Sequence, residues 1–283
     1  MKKDFGFIPI DDKGLTRVSI VQKICLAVAV VAITQNALFP TEISIFGSAN
    51  VMKGGRFKLD DYLGRKVTSG EKLMFNLALY LPFIFQHLIM ARMWFKEAMQ
   101  RMWRNYVFYE RLLFNFAASL LCIFMFQLYQ ADDKVIFKVD FPYARIVWYM
   151  FYISGLILFL WSLADMGEND VFCFGLLRDW RKNKGSKFPA FVDVETHSKL
   201  RASCRHPLYT SVFLFTTFGP TSYTITRLAH IITIDLFTFI GAKFEERDLK
   251  ALPGYPEYMK TTPNQFLPDV RVWFRGLKKA KKD

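Results

Sequence analysis

Long apolar stretches without charge recur along the chain at lengths suited to crossing a bilayer. Charged residues are absent from 24–41, 73–91, 112–131, 146–164 and 206–226, and a sixth stretch, 228–242, is interrupted only by Asp235. A hydrocarbon core of about 30 Å needs roughly 20 such residues in a helix. A soluble amphipathic helix carries charge on its outer face every turn or so, and these stretches do not. The pattern predicts an all-α, polytopic integral membrane helical bundle of about six transmembrane helices, the last two forming a C-terminal helical hairpin. Spans are expected near 19–39, 72–93, 107–130 and 144–165, with the hairpin over 206–243 turning at "GPTSY". Residues 92–111 alternate aromatic and basic positions at helical spacing, the pattern of an interfacial helix with snorkelling cations. The domain reading is a polar lead over 1–18 and a bundle over 19–243 with extramembrane connectors at 40–71 and 166–204. A segment over 244–283 follows, ending in a basic tail.

Charge adds an orientation. The net charge is +13, and the chain holds 38 Lys and Arg. With six spans and both termini on one side, 28 of these fall on that side and 10 on the other. That bias matches the positive-inside rule. It predicts both termini on the cytoplasmic side, or the matrix side in a mitochondrion. The endoplasmic reticulum with the nuclear envelope, and the mitochondrial inner membrane, both fit. Nucleic acid is not an expected partner, because the basic residues follow the membrane layout; lipid headgroups are. The lead mixes acids with lysines and has no apolar block beside Met1, so no cleaved targeting segment is expected. The four cysteines are scattered, without a CxxC pair, so neither a disulfide framework nor a metal site is expected.

Candidate chemistry sits at the lip of the hairpin. In "CRHPLYTSVF" (204–213), Arg205 and His206 precede Pro207. Proline suits the first turn of a helix, and the free N–H groups there favour an anion. Two spans of about 27 Å each return the chain to its starting depth. "EERDL" (245–249) is therefore expected on the same membrane face as Arg205 and His206, as are Gln86 and His87. Two readings stay open. The pairing of Arg205 with Glu245 or Glu246 is also what a plain interfacial ion pair requires, and His87 is also what a hydrogen-bonded core residue looks like. Asp235 is costly in lipid and must find its partner on another helix. No HExxH, GxSxG, P-loop or GxGxxG occurs, against zinc proteases, serine hydrolases and nucleotide-fold enzymes.

"CRHPLY", "EERDL" and "PGYPEYMKTTPNQFLP" together resemble the C-terminal signature of isoprenylcysteine carboxyl methyltransferase-like membrane proteins. That signature reads roughly RHPxYxG, EExxL, GxxYxxYxxxxPxxxP. "FQHLIMARMWFK" is similar to the corresponding stretch of the nurim, NnrU and methanethiol methyltransferase branch. The resemblance covers roughly residues 75–268. It implies an S-adenosylmethionine site enclosed by the last two helices and the C-terminal segment, with no metal. Arg205, His206, Pro207 and Tyr209 would line it, Glu245 and Glu246 would hold its polar groups or order the arginine, and Tyr258 would help to close it. Arg205, Glu246 and His87 are the residues it implies for catalysis. Two positions depart from the pattern: Ser211 stands where the family has Gly, and Leu88 where it has Ser. The implied activity is methyl transfer to a lipophilic or small thiol, carboxylate or amine acceptor. The alternative is a catalytically silent structural subunit of a larger membrane complex, for example a respiratory assembly. Its abundant aromatics, including 30 Phe, would suit contacts with other membrane subunits. A transporter fits less well, because the charge within the spans reduces to Asp235 and no paired broken helices appear.

Overall fold

The computed structural model describes residues 54–103, 106–166, 198–251 and 254–274. The span expected near 19–39, the polar lead, most of the connector over 166–204 and the basic tail lie outside them. Ten helices and two short strands follow in order among the described residues: α1 (Leu59–Leu63), α2 (Ser69–Met90), α3 (Met93–Met102), α4 (Tyr106–Leu128), β1 (Val135–Lys138), α5 (Pro142–Met166), α6 (Lys199–Ser203), α7 (Pro207–Phe218), β2 (Ser222–Thr224), α8 (Ile225–Leu249), α9 (Tyr255–Thr261) and α10 (Arg271–Phe274).

Local sequence sets the ends of these elements. Thr68 starts α2 with a reciprocal cap. Its hydroxyl accepts the Glu71 N–H, and the Glu71 carboxylate accepts the Thr68 N–H, so two N–H groups that the helix cannot pair are satisfied. Pro207 occupies the first turn of α7, where its missing N–H costs nothing. Pro220 has no N–H to extend the ladder, so α7 stops just before it.

The helices pack in the order α4, α2, α8, α7, α5. α2, Pro142–Asp165 of α5 and α8 are each long and apolar enough to cross a membrane, while Leu113–Leu128 and α7 are shorter apolar helices. Only 11% of the apolar window of α2 and 17% of that of α5 is buried within the chain. Surfaces of that kind belong in hydrocarbon, and the protein is a helical membrane protein. The closest helix contact is α5 on α7. A Cβ at Gly155 would stand 2.8 Å from the Leu214 Cβ and the Phe215 nitrogen, so glycine is what lets the two backbones meet. Phe151 stacks on Phe218 beside this contact, and Phe159 meets Phe215 edge-on.

A buried core links α2, α4 and α8 at one end of the bundle. Tyr80, Met125, Phe126 and Tyr129 form it. The Tyr80 hydroxyl bonds His230 Nδ1, and the Tyr129 hydroxyl donates to the Thr226 carbonyl at 2.8 Å. Asn76 ties α2 to the residues after α4. Its amide donates to the Gln130 carbonyl and its oxygen accepts the Gln130 N–H, both at 2.8 Å.

Two features differ from the sequence expectation. β1 and β2 pair antiparallel and so add a small sheet to a helical fold, with Trp148 donating to the Tyr223 hydroxyl and the Pro220 carbonyl against it. The hairpin arms are also unequal. α7 has 12 residues and α8 has 25, or about 18 and 38 Å of helix. The turn over 219–221 and the strand β2 lie between them, and the contact of Arg205 with Glu246 shows that the two arms end at the same level.

Candidate active site

α8 delivers its polar side chains to two neighbours. Asp235 and Glu246 lie eleven residues apart, close to three full turns, so both face α7. Asp235 meets the Thr216 and Thr217 hydroxyls at 3.2 Å each. The partner expected on another helix is this pair.

At the open end of the hairpin, Arg205 Nε donates to Glu246 Oε1 at 2.6 Å. His206 Nε2 stands 3.1 Å from the same oxygen and donates there when that nitrogen carries the proton. Each side chain of the Arg205–Glu246 pair is only 7% exposed. A buried carboxylate is costly without paired charge and hydrogen bonds, and here it has both. Glu245 is 44% exposed and accepts the Tyr209 hydroxyl at 2.8 Å. The His206 and Tyr209 rings stack nearly parallel, 5.2 Å apart. They sit one helical turn from each other across Pro207, which explains the short "RHPLY" spacing.

A strap over 262–269 seals this cluster. Arg205 NH1 donates to the Thr262 and Pro263 carbonyls at 2.8 and 2.7 Å. The Arg205 and His206 N–H groups donate to the Asn264 and Gln265 carbonyls at 3.0 and 2.9 Å, and the Asp269 N–H donates to the Ser203 carbonyl at 3.0 Å. The Thr210 hydroxyl donates to Phe266. α9 leads into the strap from Gly254, whose φ of 82° suits glycine. Tyr258 on α9 donates to the Arg201 carbonyl at 2.8 Å, and burial pushes its phenol up to about 12. Burial also pushes the Cys204 thiol up to about 12, so it is an inert neighbour rather than a nucleophile.

The structure thus gathers Arg205, His206, Pro207, Tyr209, Glu245, Glu246 and Tyr258 around one end of α7 and α8. His87 is elsewhere. It packs among Phe83, Phe114 and Phe237 in the seam between α2, α4 and α8. Phe237 precedes Glu246 by nine residues, about 13 Å along the helix. Ser211 is fully buried, and its hydroxyl donates to the Leu208 carbonyl at 2.5 Å. Lys243 and Gln265 were not singled out from the sequence, yet Lys243 Nζ donates to Gln265 Oε1 at 2.9 Å. "PNQFLP" contains Gln265, but only the tyrosines and prolines of that stretch carried the family pattern. Among the described residues, no group of acidic, His or Cys side chains could hold a metal ion.

The carboxylates of Glu245 and Glu246 can receive ammonium or hydroxyl groups, and the Gln265 Nε2 donor is buried without an acceptor. Known proteins bear on the chemistry of this end. The chain is 28% identical over 205 residues to methanethiol S-methyltransferase of Pseudomonas deceptionensis, across 70% of this chain and 74% of that protein. It is 26% identical over 199 residues to methanethiol S-methyltransferase 1 of Bradyrhizobium diazoefficiens, across 69% and 67%. It is 26% identical over 196 residues to methanethiol S-methyltransferase of Mycobacterium tuberculosis, across 68% and 76%. These relatives support the isoprenylcysteine carboxyl methyltransferase-like branch. No protein-family model matches the chain, and no solved structure does.

Proposed function

We propose that the chain is an integral-membrane S-adenosylmethionine-dependent methyltransferase acting on a lipophilic or small thiol or carboxylate acceptor. The observation that carries this reading is the convergence of Arg205, His206 and Tyr209 on the paired carboxylates Glu245 and Glu246, in a chain whose relatives are methyltransferases. Bound there, the cofactor would supply an activated sulfonium methyl group. Glu245 and Glu246 would hold its ammonium or hydroxyl groups, Arg205 would order Glu246, and the His206–Tyr209 stack, Pro207 and Tyr258 would close the walls. The segment over 244–268 would seal the site from water, which strengthens every charge interaction inside. His87, in the apolar seam along α8, is the candidate to take a proton from the acceptor. Both termini would lie on the cytoplasmic or matrix side, following the bias in basic residues, in the endoplasmic reticulum or the mitochondrial inner membrane.

One observation favours a second reading. The donors that Arg205 aims at Glu246, Thr262 and Pro263 are already engaged, which is what an ion-pair clamp in a silent structural subunit needs. Calorimetric titration with S-adenosylhomocysteine separates the two. The enzyme reading expects binding to the wild type, weakened in Glu246→Gln by roughly 1.5–3 kcal/mol, the range for hydrogen bonds to charged groups. No heat and no thermal shift at millimolar ligand would overturn it.

A further inference from the structure

Among the described residues, one face of α8 meets neither α7 nor α2. Asp235 and Glu246 turn to α7, through Thr216, Thr217 and Arg205. His230, Phe237 and Asp248 turn to α2, through Tyr80, His87 and Arg92. Between these faces runs an exposed stripe. It begins with Ile232, Leu236, Phe239 and Ile240, which are 62, 54, 49 and 38% exposed. It continues with Lys243, Arg247 and Lys250, all exposed. At 100° per residue these seven positions share an arc of about 100°. The stripe therefore changes from apolar to cationic within a single turn.

Other contacts at the cationic end limit what can bind. Lys243 Nζ lies 5.2 Å from the Phe239 ring centre and donates to Gln265 Oε1 at 2.9 Å. Arg247 stacks over Phe244 at 5.1 Å, with its Nε 3.5 Å from Asp248 Oδ1. The acids nearby are engaged: Asp248 with Arg92, Glu245 with Tyr209 and Glu246 with Arg205. A ligand for this face needs a hydrocarbon part and a net negative charge next to it.

We infer that the stripe binds an anionic phospholipid. Its acyl chains lie along Ile232, Leu236, Phe239 and Ile240, and its phosphate is held by Lys243, Arg247 and Lys250. The zwitterionic headgroup carries the same phosphate but adds a cation, which the lysines repel. Lys243 also ties the lipid to the strap, through its bond to Gln265 Oε1. The Gln265 carbonyl accepts the His206 N–H, and Phe266 packs between His206 and Phe239 at 5.9 and 5.7 Å. Occupancy thus braces the segment that seals the Arg205–Glu246 cluster. The inference rests on the membrane fold and does not need a cofactor.

Native mass spectrometry of the detergent-solubilised full chain, with equal phosphatidylglycerol and phosphatidylcholine, tests it. Wild type is expected to retain phosphatidylglycerol preferentially. Each cation near a charged headgroup adds about 1 kcal/mol, or about fivefold, so K243Q/R247Q/K250Q should lower the preference by on the order of 100-fold. Lys243→Gln alone should lower it by about fivefold and keeps the test open if the triple variant does not fold. The charge-matched control K66Q/K134Q/K138Q, at the opposite end of the bundle, should leave it unchanged. An equal drop in that control, no preference in wild type, or displacement of the lipid by equimolar glycerol phosphate would overturn the inference.

Discussion

α8 joins two polar clusters built on opposite principles. Near its start, Tyr80, Tyr129, His230 and Thr226 are buried together, and Asn76 and Gln130 exchange two amide hydrogen bonds beside them. Near its end, Arg205, His206 and Glu246 form a charged cluster, with Glu245 half-open to solvent. The first cluster couples α2, α4 and α8 through groups that satisfy one another. The second brings formal charge together and still leaves one carboxylate accessible. Neutral amide and hydroxyl pairs fix helix positions at little desolvation cost. A buried ion pair is a weak source of net stability, because desolvation offsets much of the attraction. The buried Arg205–Glu246 pair, next to a carboxylate open to solvent, marks the end of α8 where chemistry is to be sought.

The largest expected effect breaks the charged end. Glu246→Ala leaves Arg205 buried beside no carboxylate, and removal of one partner of a buried pair typically costs about 3–5 kcal/mol. Thermal unfolding in a fixed detergent should show this loss. Glu246→Gln keeps the shape and an acceptor oxygen for Arg205, so it should cost clearly less. Equal losses for the alanine and glutamine variants would mean that the charge alone, and neither shape nor the retained acceptor, holds this end together.

The two clusters also differ in how far the sequence revealed them. The charged end was legible because its residues lie in short dense motifs, "RHPLY" and "EERDL", and because the turn returns α8 to the level of Arg205. The helical membrane character was legible because charge-free stretches of span length have few other uses. The neutral end was not legible. Tyr80 and His230 are 150 residues apart, and a tyrosine or histidine within an apolar run carries no local sign of its partner. Asn76 and Gln130 stand near span ends, where polar residues are unremarkable. β1 escaped notice because four residues of "VIFK" are too few for a periodicity. His87 was singled out by the motif resemblance, but its aromatic neighbours Phe114 and Phe237 carried no local sign, and Phe237 lies about 13 Å before Glu246 along α8.

A smaller effect should come from the neutral end. Asn76→Ala removes both hydrogen bonds to Gln130 and strands a buried N–H and C=O, at about 1–3 kcal/mol for each group left unpaired. The midpoint of unfolding should fall, while titration with S-adenosylhomocysteine should give the wild-type affinity. If Asn76→Ala weakened ligand binding as much as Glu246→Gln, the two ends would be one cooperative unit, and the division drawn along α8 would fail.

The smallest effect concerns Tyr258, where the strap meets the charged end. Tyr258→Phe removes one hydrogen bond, to the Arg201 carbonyl, and should cost about 1 kcal/mol at neutral pH. The pH dependence is the sharper readout. Burial holds the phenol at about 12 in the folded chain, above its ordinary value near 10. The unfolded chain therefore releases this proton first. The stabilisation is complete below pH 10 and is lost as pH rises from about 10 to 12. Cys204, likewise held at about 12 by burial, contributes with the same sign from its own ordinary value near 8.5. Wild type should thus lose stability from about pH 9 upward, and Tyr258→Phe should lose less above pH 10. The two variants differ only in the phenol, so superimposable alkaline profiles would mean that Tyr258 ionises freely and that α9 does not seal this end of the bundle.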